Sequence, residues 1–376
     1  MKIGIVGTMA PWMSGGVAVH VAELVRVMRA SHSVRVVTPF ERGFHPRSVE
    51  STVRAIPLVP YLTAVNLIQA SIRFFRDVDV IHSHDPRLAV TKVFLDKPLV
   101  TTFHGYPTLE AVANGLTAPG RPLYRIYDQL IRQCLRLSDR VISVDGRIAR
   151  WLQETYSFFS ADIVHNGVDA SHFQTGGDRQ TCRRALGIDE DVPVIVSAKH
   201  FVPKNGLEYS VRAMAYIVRA YPETVLILAG DGPLRARIRE LVRSLDLENN
   251  IRMPGQVPHN QMPMIMAASD ICVVPSVPVS GVEEATSIVA LEAMAAGRPV
   301  IASNVGGLRD IIQPGGNGLL VPPANPAAIA EAAIVLLGSE TLRSEMAERA
   351  RLRVESDFGW DAVCRKVEEI YVDIAK

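Results

Sequence analysis

The chain has 376 residues, long for a single core and comfortable for two domains. A hydrophobic content of 48% with 21% charged residues excludes a disordered chain, and a net charge of +1 gives no general attraction for nucleic acid. Four well-separated cysteines, Cys134, Cys182, Cys272 and Cys364, form no C-x-x-C pair, so reduced thiols and a cytoplasmic setting are the default.

From the N-terminus, Ile3–Val6 reads as a first buried strand, not the apolar segment of a signal peptide, because no basic leader or cleavage site accompanies it. Ser14-Gly15-Gly16-Val17 follows and opens a helix. Gly15 and Gly16 allow close backbone approach, and the first helical N–H groups suit a phosphate, although a plain tight turn has the same pattern. Neither G-x-G-x-x-G nor a P-loop is present, which argues against a dinucleotide-dependent dehydrogenase. Strands are predicted over Val34–Thr38, Val78–His82, Leu99–Thr102 and Arg140–Val144, with helical periodicity between them. Ala55–Ile72 is uncharged, but Pro57, Pro60, Asn66 and Gln69 argue against a membrane span.

Thr102-Phe103-His104-Gly105 places His104 at the carboxyl end of a strand, where open α/β sheets bind ligands. His82 and His84 close another strand without a cysteine or carboxylate cluster, so no zinc site is read. Asp77-Val-Asp79 and Asp189-Glu-Asp191 imitate metal-binding pairs but fall at the wrong strand ends, and no metal is expected. The helix Leu123–Leu137 carries Arg125, Arg132 and Arg136, with Arg121 and Arg140 flanking. All five fall within an arc of roughly 100°, opposite Leu123, Ile126, Leu130, Cys134 and Leu137. This basic face, 121–140, reads as solvated and partly paired through Asp128 and Arg132, with contact to an anionic membrane surface as the alternative.

The join between domains falls near Asn166-Gly167-Val168-Asp169, giving a first domain over 1–168 and a second over 169–357. Strands of the second are predicted over Pro193–Ala198, Val225–Ala229, Asn250–Met253, Ile271–Val274 and Val300–Ser303. Each series makes a doubly wound α/β sheet, and two such domains facing each other leave a cleft between their strand ends. Spacing of Val363, Val367, Ile370 and Tyr371 predicts an amphipathic C-terminal helix within 358–376 that packs back on the first domain.

Lys199-His-Phe-Val-Pro-Lys204-Asn-Gly206 brings two cations to a strand end and suits a diphosphate; a solvated surface pair is the alternative. Gly230-Asp-Gly232-Pro233 ends the next strand, either shaping a nucleotide pocket or making a structural turn. The most informative segment is Glu284-Ala-Thr-Ser-Ile-Val-Ala-Leu-Glu292, with one carboxylate in a loop and the second inside a helix that stops at Gly297 and Pro299. Thr286 or Ser287 is the expected N-cap through its hydroxyl, and the helix start can bind hydroxyls and phosphates together. That combination points to a sugar-nucleotide site.

Gly15-Gly16, His104, His165-Asn166-Gly167-Val168-Asp169, Lys199/Lys204, Gly230-Asp-Gly-Pro233, Glu284-x7-Glu292 and Val305-Gly306-Gly307 follow one another as in the retaining glycosyltransferases of family 4, which the chain resembles from about Ile3 to Tyr371. The resemblance implies a GT-B fold: an N-terminal acceptor-binding and a C-terminal nucleotide-sugar-binding Rossmann-like domain. It implies transfer of a hexose or N-acetylhexosamine from a UDP- or GDP-sugar to a lipid-linked or small-molecule acceptor, with no metal and no cofactor. By the same resemblance Glu292 holds the ribose hydroxyls and Glu284 those of the donor sugar, while Lys199 and Lys204 bind the diphosphate. Gly16 offers its N–H to phosphate, His104 contacts the transferred sugar, and Thr286, Ser287 and Ile288 present backbone amides. Lys199 stands where the family usually has arginine, keeping the charge without the bidentate fork. Ala285-Thr286-Ser287 also departs from the family pattern. Retention would proceed by front-face substitution, the leaving phosphate accepting the acceptor's proton. Alternatives are a GT-B epimerase or phosphorylase, or a silent sugar-nucleotide-binding protein, but no lysine is nominated for pyridoxal phosphate and Glu284, Glu292 and Lys204 are intact.

Overall fold

Short apolar strands, the central ones buried on both faces, make two parallel sheets. In the computed structural model residues 1–7, 16–40, 53–57, 63–113 and 115–375 are described. The chain divides into one unit of Met1–Asn166 with Trp360–Lys376 and a second of Gly167–Gly359.

The first unit contains β1 (Lys2–Val6), β2 (Ser33–Phe40), β3 (Val53–Pro57), β4 (Val80–Ser83), β5 (Leu99–Phe103), β6 (Arg140–Ser143) and β7 (Ala161–Ile163). Their order is β3-β2-β1-β4-β5-β6-β7, every pair parallel, so the winding reverses between β1 and β4. Ile3, Ile5, Val36, Val80 and Val100 meet Val21 and Leu24 of the helix Gly16–Met28. The helix Trp360–Ile374 returns to the same core with Trp360, Val363, Val367, Ile370 and Tyr371, the stripe expected from its spacing.

The second unit contains β8 (Val194–Ala198), β9 (Val225–Ala229), β10 (Ile251–Gly255), β11 (Ile271–Val274), β12 (Val300–Ser303) and β13 (Gly318–Val321). Their order is β10-β9-β8-β11-β12-β13, again parallel, with the reversal between β8 and β11. Alternate side chains serve opposite faces. Val194, Val196, Cys272 and Val274 pack with Ala290, Leu291 and Met294, whereas Ile195, Ile271 and Val273 pack with Val211, Met214 and Ile217 of the helix Leu207–Ala220. At the amino end of β11, Asp270 accepts from Val194 N (2.7 Å) and pairs with Arg179 and fully buried Arg183 (2.6 Å).

Three strands, β3, β7 and β13, lie outside the predicted set. Arg54 and Pro57 interrupt the first, the second has three residues, and Gly318-Leu-Leu-Val lacks a β-branched run. The basic helix also needs correction. It spans Pro122–Leu137, and Arg140 beyond it begins β6 as expected, but there it bonds Asp162 (2.8 Å) and Asp373 (2.6 Å) and does not extend the basic face. Leu123 and Ile126 are exposed, not packed opposite the arginines, and Ile131, Cys134 and Leu135 make the buried stripe. Arg132 pairs with Asp128 at 2.9 Å as expected. Asp77 pairs with Arg35, and Asp79 accepts from Lys2 N (2.7 Å), a structural use of that D-x-D. Among the described residues no helix is long and apolar enough to cross a membrane. All four cysteines are buried free thiols.

Candidate functional site

In an open α/β sheet the chains leaving two strands at the point of reversal diverge and open a crevice. In the second unit those strands are β8 and β11, and the residues that follow them meet. Lys199, directly after β8, donates from Nζ to Glu284 Oε1 (2.8 Å) and to Ser276 Oγ (2.8 Å). Ser276, two residues beyond β11, donates in turn to Glu284 Oε2 (3.2 Å). The side chains of Lys199 and Glu284 are 7% and 13% exposed, so this is a largely desolvated pair. Burial works to raise the Glu284 carboxyl, but Lys199, with Lys204 and the Ser276 hydroxyl, holds it below its ordinary value. Lys199 moves down as well, by burial first and despite Glu284. Lys204 stands exposed in the turn Pro203–Asn205, whose backbone is tied to the other side of the crevice by Val277 N donating to Lys204 O (2.8 Å).

Two glycine turns brace this arrangement. A Cβ on Gly230 (φ 142°) would come 2.1 Å from Lys199 O, so only glycine lets the β9 turn lie against the lysine backbone. Gly232 lies against the backbone of Phe201 and donates to Asp231 Oδ1 (2.7 Å), so it acts through the shape of the Lys199 loop. Gly306 (φ 50°) packs where a Cβ would meet Glu284 O at 1.9 Å, while Gly306 N donates to Glu283 Oε2 (2.7 Å) and Gly307 N to Glu284 O (2.9 Å). The loop that presents Glu284 is therefore fastened to the turn after β12.

The helix Ile288–Ala295 starts at Ser287 and ends with Gly297 N donating to Met294 O and Arg298 N to Ala293 O. Ser287 occupies the N-cap position as expected, but its hydroxyl makes no capping bond, which corrects the expected role of that hydroxyl; Oγ is buried without a partner among the described residues. Thr286 is buried beside it and Ile288 half-buried. Glu292 projects from the second turn, 9% exposed, with His259 Nε2 3.8 Å from Oε1. Burial pushes its carboxyl up to about 8, since the ionised form loses its water. The two carboxylates of the E-x7-E segment thus differ in kind: one is paired and ionised, the other desolvated and protonated at neutral pH.

In the first unit His104 follows β5 as expected, and His84 follows β4. His84 Nδ1 and His104 Nε2 are 3.0 Å apart, and the His20 ring lies 4.8 Å from that of His104. One ring nitrogen from each of His20, His84 and His104 lies within 4.8 Å of the others. Burial lowers all three, His20 to about 4. His82 is committed structurally, with Nδ1 2.5 Å from the Tyr371 hydroxyl and Nε2 2.7 Å from Thr102 Oγ1. Gly16 is the first residue of its helix, whereas Gly15 lies outside the described residues.

The fold therefore brings Lys199, Glu284, Thr286, Ser287, Ile288 and Glu292 into one unit and His104 into the other. Ser276, Glu283 and His20 escaped the sequence reading as site residues. Ser276 was visible only as a turn former, Glu283 only as the neighbour of Glu284, and His20 lies on a helix that its sequence position does not aim at β4 and β5.

A family model described as Glycosyl transferases group 1 matches residues 178–353, and one described as Glycosyltransferase Family 4 matches residues 14–172. The chain is 30% identical to a D-inositol 3-phosphate glycosyltransferase of Kineococcus radiotolerans, over 95% of this chain and 90% of that protein. It is 28% identical to a phosphatidyl-myo-inositol mannosyltransferase of Mycobacterium leprae, over 100% of this chain and 97% of that one. Among solved structures, Anabaena HepE in complex with UDP superposes with a TM-score of 0.80 at 18% identity, over 99% of this chain and 100% of that chain. The chain belongs to the family 4 glycosyltransferases and has their GT-B fold of two Rossmann-like domains; it is a glycosyltransferase.

Proposed function

We propose that this glycosyltransferase moves a hexose or N-acetylhexosamine from a UDP- or GDP-sugar to a lipid-linked or small-molecule acceptor, with retention and without a metal or cofactor. The observation that carries the reading is the contrast between Glu284 and Glu292 at the reversal of the second sheet. A buried carboxyl from which His259 Nε2 stands 3.8 Å away is stabilised by accepting from the two vicinal hydroxyls of a ribose, so Glu292 takes the nucleoside. Glu284 is ionised, and each of its oxygens keeps a further lone pair for a hydroxyl of the donor sugar. Lys199 spends two of its three N–H bonds on Glu284 and Ser276, and the third, with exposed Lys204, serves the diphosphate.

In this reading the C1–O bond to the diphosphate breaks while the acceptor oxygen bonds C1 from the same face. The acceptor's proton passes to the departing phosphate oxygen. Lys199 and Lys204 stabilise the charge left behind, while His104, neutral by burial, hydrogen-bonds the sugar in transfer. The backbone amides of Thr286, Ser287 and Ile288 and of Gly16 meet sugar and phosphate oxygens at helix starts. Both relatives described above are named for a phosphorylated inositol, free or lipid-borne, which supports an acceptor of that size class. Contact with an anionic membrane surface would run through Arg121, Arg125 and Arg136 beside exposed Leu123 and Ile126, on the cytoplasmic side.

A thermal-shift screen of nucleoside diphosphates and their sugars tests the reading. A true donor at a hundredfold excess over Kd stabilises by about 2.7 kcal/mol. UDP or GDP compounds should raise Tm; folded protein that responds to none of them contradicts it.

A further inference from the structure

Three imidazoles from separate elements converge in the first unit. His84 and His104 follow β4 and β5, neighbouring strands of the sheet, and His20 comes from the helix Gly16–Met28. His84 Nδ1 and His104 Nε2 face each other at 3.0 Å. One nitrogen from each of the three rings lies within 4.8 Å of the other two. A tetrahedral zinc ion with Zn–N bonds of about 2.0–2.1 Å holds its nitrogens about 3.3 Å apart. The facing pair thus stands close to the spacing of two ligands, and closing the triangle takes a shift of at most about 1.5 Å.

Beyond their one mutual hydrogen bond the protein serves these rings poorly. His20 Nδ1, His84 Nε2 and His104 Nδ1 are buried with no hydrogen-bond partner among the described residues. His82, by contrast, spends both nitrogens on Tyr371 and Thr102 and forms a wall 4.1 Å from the His84 ring. Asp85, beside His84, is taken by Arg87 at 2.5 Å and does not compete as a ligand. His20 stands edge-on to His104 at 75° and to Trp360 at 69°, which fixes the helix face over the strand ends. Burial keeps the three rings neutral, so each has a lone pair to give and none repels a cation.

We propose that His20, His84 and His104 bind a divalent cation of the zinc class, with water in the fourth position. The ion replaces the hydrogen that His84 and His104 share. Both rings ligate through their facing nitrogens, and the displaced hydrogen moves to the outer nitrogen of the ring that donated it. No proton leaves the site and nothing is oxidised or reduced. Three neutral nitrogens without a carboxylate suit Zn2+ and exclude Mg2+ and Ca2+, which take oxygen ligands. A bound ion occupies His104 and so opposes transfer; that consequence alone rests on the glycosyl-transfer reading above.

Calorimetric titration of the tag-free full-length protein, first freed of metal by a chelator, tests the site. One Zn2+ per chain should bind, Mg2+ should not compete, and Co2+ in its place should show the intense visible bands of tetrahedral coordination. His84→Ala should weaken Zn2+ binding by about a hundredfold or more. His20→Phe, which keeps the edge-on packing but has no nitrogen, should do the same, and it carries the test if His84→Ala does not fold. Zn2+ should slow sugar transfer by the wild type and spare His20→Phe, whose metal-free kcat should stay near wild type. A folded wild type that binds no Zn2+, binding that survives in a folded His20→Phe, or displacement of Zn2+ by Mg2+ overturns the proposal. Zn2+ held by these imidazoles without slowing transfer upholds the site and contradicts the role given to His104. A wild type that transfers no sugar counts against the glycosyl-transfer reading alone, since the titration still decides the site.

Discussion

Lys199 Nζ and Glu284 Oε1 stand 2.8 Å apart in a pair nearly closed to water, with Ser276 Oγ bonded to both. Removing one partner strands the other charge where water cannot solvate it. Lys199→Ala and Glu284→Gln are each expected to lower the unfolding free energy by about 3 kcal/mol or more, and the double variant by clearly less than the sum. Urea melts of the three proteins check this; additive losses would show that the two residues do not depend on each other.

Glu292 gives a pH dependence of definite sign. Its folded-state value, raised to about 8 from 4.5, means that the folded protein holds a proton that the unfolded chain has released. Stability from this group is full below about 4.5 and is lost as pH rises to about 8, at about 1.4 kcal/mol per pH unit. Glu292→Gln should remove that slope. Ribose hydroxyls favour the ionised form, so nucleotide binding at pH 7 should release about one proton and strengthen as pH climbs towards 8. Calorimetry in two buffers of different ionisation enthalpy measures the proton count; zero release would remove the assigned role of Glu292.

Gly306→Ala would place a methyl group 1.9 Å from Glu284 O at a φ of 50°. The loop must move, with an expected stability loss of about 1–3 kcal/mol and a fall in kcat/KM of about a hundredfold from a misplaced carboxylate. Gly187→Ala is the control, since its φ is also positive (62°) but its Cβ meets nothing within 4 Å. Equal kinetic losses in both variants would mean that crowding of Glu284 is not the cause.

Asp270→Asn should cost about 3–5 kcal/mol, because it leaves fully buried Arg183 and its neighbour Arg179 without their counter-charge. Asp270 lies at the amino end of β11, away from the strand ends that carry Lys199 and Glu284, so kcat of the folded fraction should stay near wild type. Urea midpoints and initial rates together check the separation; a large kcat loss would link the two ends of the sheet.

The interior strands were legible because parallel strands covered on both faces read as continuous apolar runs, as Val225–Ala229, Ile271–Val274 and Val300–Ser303 do. Edge strands have one neighbour and tolerate other residues, which hid Val53–Pro57, Ala161–Ile163 and Gly318–Val321. Within the site, residue type and position after a strand were enough to single out Lys199, Glu284, Glu292 and His104. What they do to one another was not legible. That Lys199 is engaged by Glu284, that Ser276 bridges them and that Gly306 fastens their loop are relations between loops that follow β8, β11 and β12, set by the strand order. The same holds for Arg140, whose place at the start of a strand was legible but whose partners, Asp162 and Asp373, were not.

A crystal structure of the protein soaked with UDP or GDP measures the central claim most directly. Both ribose hydroxyls should lie within about 3 Å of the Glu292 carboxylate, with the diphosphate against Lys204 and the crevice beside β8 and β11. A nucleotide seated elsewhere, or seated there with Glu292 turned from the ribose, would contradict it.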